Sequence, residues 1–223
     1  MGQLAFDLGH RPAFGREDFW VAPGNREAVE WIDRWPAWHT LGPGHALALF
    51  GPAGCGKSHL AQVFALKADA RILAPAEVTS AAIAGLVAGH KALALENGEA
   101  VADAAALFHL FNAVREAGGF LLLTSREPPA RWPVTLADLK SRLSAVPAVR
   151  IAAPDDAMVE AVLVKLFADR QVTVAPEVIA YLVRHMDRSF AAMRSLVARA
   201  DGLALAEKRP VTVPLVKSLL EAN

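Results

Sequence analysis

The chain is poor in cysteine and carries no excess of charge of either sign. Cys55 is the one cysteine among 223 residues, so no internal disulfide can form and a reducing compartment fits the sequence. Lysine and arginine together number 23, as do aspartate and glutamate, which gives a formal net charge of +0. A generally basic surface for binding nucleic acid is therefore not supported, although a local basic patch remains open.

Targeting and membrane-spanning signals are also missing. No signal-peptide pattern opens the chain, and no uncharged apolar run reaches the length of a transmembrane helix. The 7 histidines show no metal-ligand spacing. We therefore expect a soluble, cytoplasmic protein without a histidine-bound metal. Hydrophobic residues make up 54% of the sequence, which is enough for the core of one or two domains.

The most informative feature that is present is a complete phosphate-binding loop, G-x-x-x-x-G-K-[ST], at residues 51–58. An apolar strand candidate precedes it and a helical pattern follows, so backbone N–H groups and the helix dipole converge on one anion site. Lys57 can reach the β- and γ-phosphates, and the Ser58 hydroxyl can bind Mg²⁺. The predicted nucleotide contacts in this segment are Gly51, Pro52, Ala53, Gly54, Cys55, Gly56, Lys57, Ser58 and His59.

Short apolar runs alternate with helical patterns over the first two thirds of the chain. This alternation predicts an α/β fold with a parallel sheet covered by helices on both faces. The strand candidates are 46–50, 71–73, 91–95, 120–124 and 149–151. The helix candidates besides the one after the phosphate loop are 26–38, 76–88 and 103–116.

The pattern becomes purely helical after Pro154. We predict three parts: a poorly structured tail over 1–18, an α/β domain over 19–153 and a small all-helical domain over 154–223. The helix candidates of the last part are 155–169, 176–186, 189–207 and 213–222.

An acidic residue at the end of a neighbouring strand usually completes the magnesium site of a phosphate loop. Glu96 follows the run 92–95 and is our candidate, either as a direct ligand or through water. The alternative is a solvated strand end. Asn97 comes next and cannot act as a general base.

Two more groups come from the pattern alone, with weaker support. Thr124 ends the strand candidate 120–124 and Ser125 follows it, which places them at the edge of the sheet beside the γ-phosphate site. Arg142 follows within the segment 138–143 and could present a guanidinium to a phosphate in a neighbouring subunit. The pattern by itself favours a solvated surface arginine at this position.

The order of these elements resembles the AAA+ initiator group and, within it, the Hda family of DnaA-related proteins. The resemblance covers essentially the whole chain and implies a P-loop αβα domain followed by a small all-helical lid. It also implies ADP or ATP as cofactor, with Mg²⁺. The chain ends at the lid without a DnaA-type DNA-binding domain, so we expect no sequence-specific DNA binding. The stretches that carry the resemblance are Gln3 to Leu8, Phe19 to Asn25, residues 51–58, Leu122 to Pro129, Asp138 to Leu143 and Arg209 to Lys217.

The resemblance assigns roles within the sheet domain. Arg142 falls on the arginine-finger position, which acts in trans, and Thr124 with Ser125 falls on the sensor 1 position. Asn97 after the strand acid is a family feature. Glu96 in place of aspartate departs from the family pattern and affects the expected Mg²⁺ geometry.

The resemblance also points to residues of the lid and of the linker. Ala191 falls where DnaA-like proteins carry the sensor 2 arginine. Arg188 and Arg194 are expected about one turn to either side on the same helix face, and either could substitute. The linker residues expected near the adenine ring are Phe19, Val21 and Asn25.

The segment Gln3-Leu4-Ala5-Phe6-Asp7-Leu8 looks like a sliding-clamp-binding peptide, Q-L-x-[LF]-x-L. In such peptides the Gln3 amide would make polar contacts, while Leu4, Phe6 and Leu8 would fill an apolar groove on the clamp. The alternative is that the apolar residues alternate because they add an edge strand.

These features favour a regulator that binds ADP or ATP, docks on the sliding clamp (the β subunit of the polymerase) and stimulates ATP hydrolysis by DnaA. Its own ATPase activity is expected to be weak or absent, and a homo-oligomer is possible. The alternative is an enzyme rather than a regulator: an autonomous AAA+ ATPase that acts as a loader or remodeller. A P-loop kinase is disfavoured, because no acceptor-binding lid is inserted within the sheet domain.

Overall fold

A five-stranded parallel sheet positions the rest of the chain in the computed structural model, which describes residues 21–40 and 45–221. The strand order is β2-β3-β4-β1-β5, and every neighbouring pair is parallel. The predicted parallel α/β architecture is therefore confirmed. The strands are β1 (Ala46–Phe50), β2 (Arg71–Leu73), β3 (Ala92–Leu95), β4 (Phe120–Ser125) and β5 (Ala148–Arg150).

The register brings the ends of the central strands to one edge of the sheet. Phe50 of β1 lies opposite Ser125 of β4, and Leu95 of β3 lies opposite Leu123. The segments that follow these three strands therefore meet at the carboxyl edge, where open α/β sheets bind ligands.

Helices cover both faces of the sheet. α1 (Arg26–Asp33) and α2 (Lys57–Ala68) share one core cluster with residues of β1, β3 and β4. α3 (Ile83–Val87), α4 (Ala104–Glu116) and α5 (Ala137–Ala145) share the other. Because strand residues alternate between faces and both faces are buried, the strands appear in sequence as continuous apolar runs.

Two helix predictions in this domain were wrong in extent, and one helix was missed. The helix predicted over 26–38 ends at Asp33, because Pro36 follows, and a 3₁₀ turn over Ala37–Thr40 continues the chain. The helix predicted over 76–88 is a 3₁₀ turn, Pro75–Glu77, followed by the short α3. Helix α5 was not predicted, because only Leu139 and Leu143 are buried on it.

Side-chain hydrogen bonds lie beside and within residues 78–82, which form no helix. The Glu77 carboxylate accepts the backbone N–H of Ala74 at 2.7 Å and pairs with Arg71 at 2.8 Å. The Ser80 hydroxyl donates to the Asp103 carboxylate at 3.2 Å. The Glu77 bond satisfies a backbone donor at the start of the 3₁₀ turn, as in a capping box, and the Ser80 bond ties residue 80 to the residue that caps α4.

The lid consists of four helices with their own apolar core, as predicted. α6 begins at Asp156 because the Asp155 carboxylate caps it by accepting the backbone N–H of Met158 at 2.8 Å. Ser189 caps α8 in the same way through Ala192 at 3.1 Å. No helix within 21–40 or 45–221 is long and apolar enough to cross a membrane. The lid helices are α6 (Asp156–Asp169), α7 (Pro176–His185), α8 (Phe190–Glu207) and α9 (Val213–Glu221).

The cap of α4 predicts a pH-dependent contribution to stability. The backbone N–H of Ala106 donates to the Asp103 carboxylate at 2.9 Å, which, with the Ser80 hydroxyl, lowers the pKa of Asp103 below its ordinary value of 3.8. The ionised cap therefore stabilises the fold above that value, and the contribution is lost as the pH falls through the lowered pKa. We expect Asp103→Ala to reduce the urea midpoint at neutral pH and to have little effect in strong acid. A deficit that is the same at both pH values would contradict this.

Candidate functional site

The loop after β1 lies so close to other backbone that two of its glycines cannot be replaced without displacement. A Cβ at Gly51 would lie 2.2 Å from the carbonyl oxygen of Ile151, and a Cβ at Gly54 would lie 2.1 Å from Cβ of Ser189. Both glycines have positive φ, +157° and +72°. The loop is therefore a glycine cradle in which backbone N–H groups can approach an anion.

Lys57 lies inside this cradle. It is the first residue of α2 and is only 8% exposed. Its ammonium donates to the carbonyl oxygens of Gly51 at 2.8 Å and Pro52 at 2.7 Å, and lies 3.8 Å from Sγ of Cys55. A cation and the N-terminus of a 12-residue helix thus converge on the loop, which fits a polyphosphate. Ser58 follows and is exposed.

The lid contacts the loop directly at the start of α8. The backbone N–H of Phe190 donates to the Gly54 carbonyl oxygen at 3.3 Å, next to the close approach of Ser189. Arg188 immediately precedes the Ser189 cap, so it lies outside the helix. The prediction that Arg188 and Arg194 share a helix face is therefore wrong.

The two lid arginines differ in their distance from the loop. Arg188 is one residue from the contact at Ser189, and its guanidinium pairs with the Asp156 carboxylate at 2.6 Å. Arg194 is four residues beyond the first residue of α8, and so lies about 6 Å along the helix axis from that start. Ala191, in the first turn of α8, carries no polar group that could bind an anion. The geometry therefore favours Arg188 as the lid cation nearest to the loop.

A cavity of about 190 Å³ adjoins the loop on its Cys55 side and reaches the lid. Asn25, 4% exposed, contributes to its wall, and its side-chain oxygen accepts the backbone N–H of Ala22 at 2.8 Å. Val21 is 41% exposed and is not in the wall, and the predicted Phe19 lies outside the described residues. The lining residues are Ala22, Gly24, Asn25, Cys55, Ala152, Ala153, Pro154, Asp155 and Met158.

Much of this wall could not be found from sequence motifs. Ala152, Ala153 and Met158 have no reactive group, and their one signal is the change to a purely helical pattern near Pro154. A larger groove of about 520 Å³ lies on the lid between α6 and α7, away from the phosphate loop. We give it no role in the site, because its lining is mainly apolar and includes none of the residues described above.

Glu96 lies at the carboxyl edge, beside the end of β4. Its Oε1 is buried and has no hydrogen-bond partner within residues 21–40 and 45–221. A buried carboxylate oxygen without a partner is costly, and it fits a cation ligand. Groups of three or more metal-binding side chains are absent from the same ranges.

Thr124 and Ser125 are both buried, but only one of their hydroxyls has a proton that is not already donated in a hydrogen bond. Thr124 Oγ1 accepts the backbone N–H of Asn97 at 3.1 Å, so its own proton remains available to an acceptor. The Ser125 hydroxyl donates to the carbonyl oxygen of Glu127 at 2.8 Å and is already used. Of the predicted pair, Thr124 is the one with a free donor toward the edge.

Arg142 is held on the opposite face of the sheet from α2. Its Nη2 donates to the Asn112 side-chain oxygen at 2.8 Å, and the guanidinium lies 5.8 Å from the centre of the Phe108 ring. Asn112 lies about 12 Å along α4 from the start of that helix near the carboxyl edge. The structure therefore does not bring Arg142 to the chain's own phosphate loop.

The residues that hold Arg142 were not identified from the sequence. Phe108 and Asn112 are four residues apart on α4, so they share one helix face. The predicted peptide residues Gln3, Leu4, Phe6 and Leu8 lie outside the described residues.

Comparison with known proteins agrees with this architecture. Residues 156–220 match the family model for the Hda lid domain. Domain III of Thermotoga maritima DnaA is 17% identical, with 95% of this chain and 97% of that chain covered and a TM-score of 0.76. AMPPCP-bound DnaA from Aquifex aeolicus is 20% identical, covering 89% and 69%, with a TM-score of 0.71. The RuvB branch migration motor of T. maritima is 12% identical, covering 91% and 70%, with a TM-score of 0.70. These structural similarities establish that the chain shares the fold of DnaA domain III and of the RuvB motor.

The contact between loop and lid can be tested with two glycine variants. Gly54 and Gly89 both have positive φ, +72° and +84°, but a Cβ at Gly89 would meet nothing within 4 Å. We expect Gly89→Ala to lower the free energy of unfolding by about 1–2 kcal/mol through backbone conformation alone. Gly54→Ala should lose about 1–3 kcal/mol more, because its methyl group overlaps Ser189. Equal losses in urea unfolding would show that the lid does not press on the loop.

Proposed function

We propose that this chain, an Hda-like AAA+ protein related to DnaA, regulates the initiation of replication by acting on DnaA rather than on DNA. It binds an adenine nucleotide, docks on the DNA-loaded sliding clamp through Gln3 to Leu8, and presents Arg142 to the ATP that DnaA holds. DnaA then hydrolyses its ATP and initiation is limited. The hydrogen bond that holds Arg142 on the face opposite α2 is the observation that carries this proposal.

The position of Arg142 supports action in trans. The chain's own phosphate loop opens α2, while Arg142 is bound to α4 on the other side of the sheet. A guanidinium beside a transferring phosphoryl group stabilises its developing charge and can be worth about 10³–10⁵ in rate. A neighbouring protein's nucleotide is the site that such a guanidinium can serve.

Asn112 and Phe108 support the role of Arg142 by limiting its freedom. An arginine side chain loses about 2 kcal/mol of rotamer entropy when it is fixed. The hydrogen bond to Asn112 uses one of five guanidinium donors, and the guanidinium carbon lies over the Phe108 ring, 5.8 Å from its centre. Part of the ordering has therefore occurred before a partner arrives, and most donors remain available to it.

The proposed nucleotide is ADP or ATP, and AMPPCP bound to the similar DnaA structure supports an adenine nucleotide. Mg²⁺ is proposed with it. The loop amides and Lys57 would hold the phosphates, and Ser58 with Glu96 would hold Mg²⁺. His59, Arg188 and Arg194 are further proposed nucleotide contacts. The base would enter the cavity beside Asn25. A nucleotide held there would contact both the sheet domain and the lid. Phe19 and Val21 stay proposed contacts on the resemblance alone.

An autonomous AAA+ ATPase is the second candidate, favoured by Glu96 and Thr124 at the chain's own site. Asn97 weighs against it, since an amide cannot take a proton from water. Purified protein that turns over ATP several times a minute without a partner would favour this candidate.

Arg142→Ala should remove most of the stimulation of DnaA. With clamp-loaded DNA and ATP-bound DnaA, we expect the stimulated hydrolysis rate to fall about 10³-fold or to the unstimulated rate, because the transition-state charge loses its guanidinium. The assay is phosphate release by DnaA.

Two further variants make this test specific. Arg115→Ala removes an exposed arginine at the end of α4 and should leave stimulation unchanged. Asn112→Ala should lower it by about tenfold, in line with the loss of one hydrogen bond to a charged group. Full stimulation by Arg142→Ala would rule out the finger assignment.

The peptide segment can be tested separately by clamp binding. Gln3→Ala combined with Leu4→Ala should weaken binding to the immobilised, DNA-loaded clamp at least about tenfold, because both anchor types are lost. Asp7→Ala changes a position that the peptide pattern leaves open and should bind like the original protein. Equal binding by all three proteins in surface plasmon resonance would remove the peptide from the proposal.

A further inference from the structure

Arg188 occupies a position from which it can serve either of two anions. It is one residue from Ser189, which touches the phosphate loop at Gly54, and consecutive Cα atoms are about 3.8 Å apart. Its guanidinium is nevertheless paired with Asp156, in the first turn of α6, at 2.6 Å. The pairing keeps the charge on the lid side of the loop.

Asp156 is the carboxylate of this region that is available for the pairing. Asp155 is occupied as the cap of α6, where it accepts the Met158 N–H. Asp187 accepts the backbone N–H of Ser189 at 2.7 Å and so fixes the turn before α8. Asp156 makes neither kind of bond, so its charge is left for Arg188.

The pair is exposed enough to exchange partners. The side chains of Arg188 and Asp156 are 47% and 69% exposed. Ion pairs exposed to this degree are weak, whereas phosphate oxygens carry more charge and accept arginine in a bidentate geometry. A terminal phosphate at the loop would therefore compete well with Asp156 for the same guanidinium.

We propose that Asp156 competes with the terminal phosphate of the bound nucleotide for Arg188, and thereby lowers the affinity of the site for nucleotides. The proposal rests on the nucleotide site described under the proposed function. Asp156 is a specificity-determining residue that acts through Arg188 and need not touch the nucleotide itself. The nucleotide whose terminal phosphate reaches Arg188, ADP or ATP, is the one most affected.

The test is a double-mutant cycle read by equilibrium binding of ADP and of ATP at about 0.15 M salt. Asp156→Asn should tighten binding of at least one nucleotide about two- to fivefold, the range set by an exposed ion pair. In an Arg188→Ala background the same change should have no effect. Glu177→Gln removes an exposed acid from the first turn of α7 and should change neither affinity.

The outcomes separate this mechanism from simple charge effects. An equal gain in the Arg188→Ala background would mean that Asp156 acts through space on the phosphates, and would overturn the proposal. No gain with either nucleotide would overturn it as well. In both cases, nucleotide binding that Lys57→Ala abolishes would leave the proposed function standing. If the unaltered protein binds neither nucleotide, both proposals fail.

Discussion

The parallel register of β1, β3 and β4 brings three chain reversals to one edge of the sheet. The phosphate loop follows β1, Glu96 follows β3, and Thr124 and Ser125 end β4. Hydrogen bonds across the edge fix their spacing: Gly51 N–H donates to the Ser125 carbonyl oxygen at 3.2 Å, and Asn97 N–H donates to Thr124. A slip of one residue in either pairing would turn these side chains to opposite faces. Strand pairing therefore determines which side chains meet at the candidate site.

The same sheet keeps two cationic centres apart. Lys57 lies with α2 on one face, while Arg142 lies with α4 and α5 on the other. The apolar layer between them is fully buried, so neither cation can move through it to the other face. The proposed nucleotide site and the guanidinium proposed to serve a partner therefore lie on opposite faces of one sheet.

The sequence was sufficient for features set by local pattern. The strands were recognised because both of their faces are buried, and the phosphate loop because its glycines, Lys57 and Ser58 have fixed spacing. The break in the helix predicted over 76–88 was missed, and the Ser80–Asp103 hydrogen bond beside that break joins residues 23 positions apart, which no local pattern shows. The pairing of Arg142 with Asn112 joins residues on two helices separated by a strand, and no spacing rule predicts it.

Lys57 forms hydrogen bonds with the backbone of the loop that it belongs to. Its ammonium already occupies the carbonyl oxygens of Gly51 and Pro52, so the loop keeps its shape through internal bonds. An arriving phosphate then exchanges one set of hydrogen bonds for another, and the count of bonds changes little. What changes is the charge of the acceptor, from a carbonyl dipole to a full anion. Affinity at this loop should therefore follow the charge of the ligand, and one nucleotide can replace another without refolding of the loop.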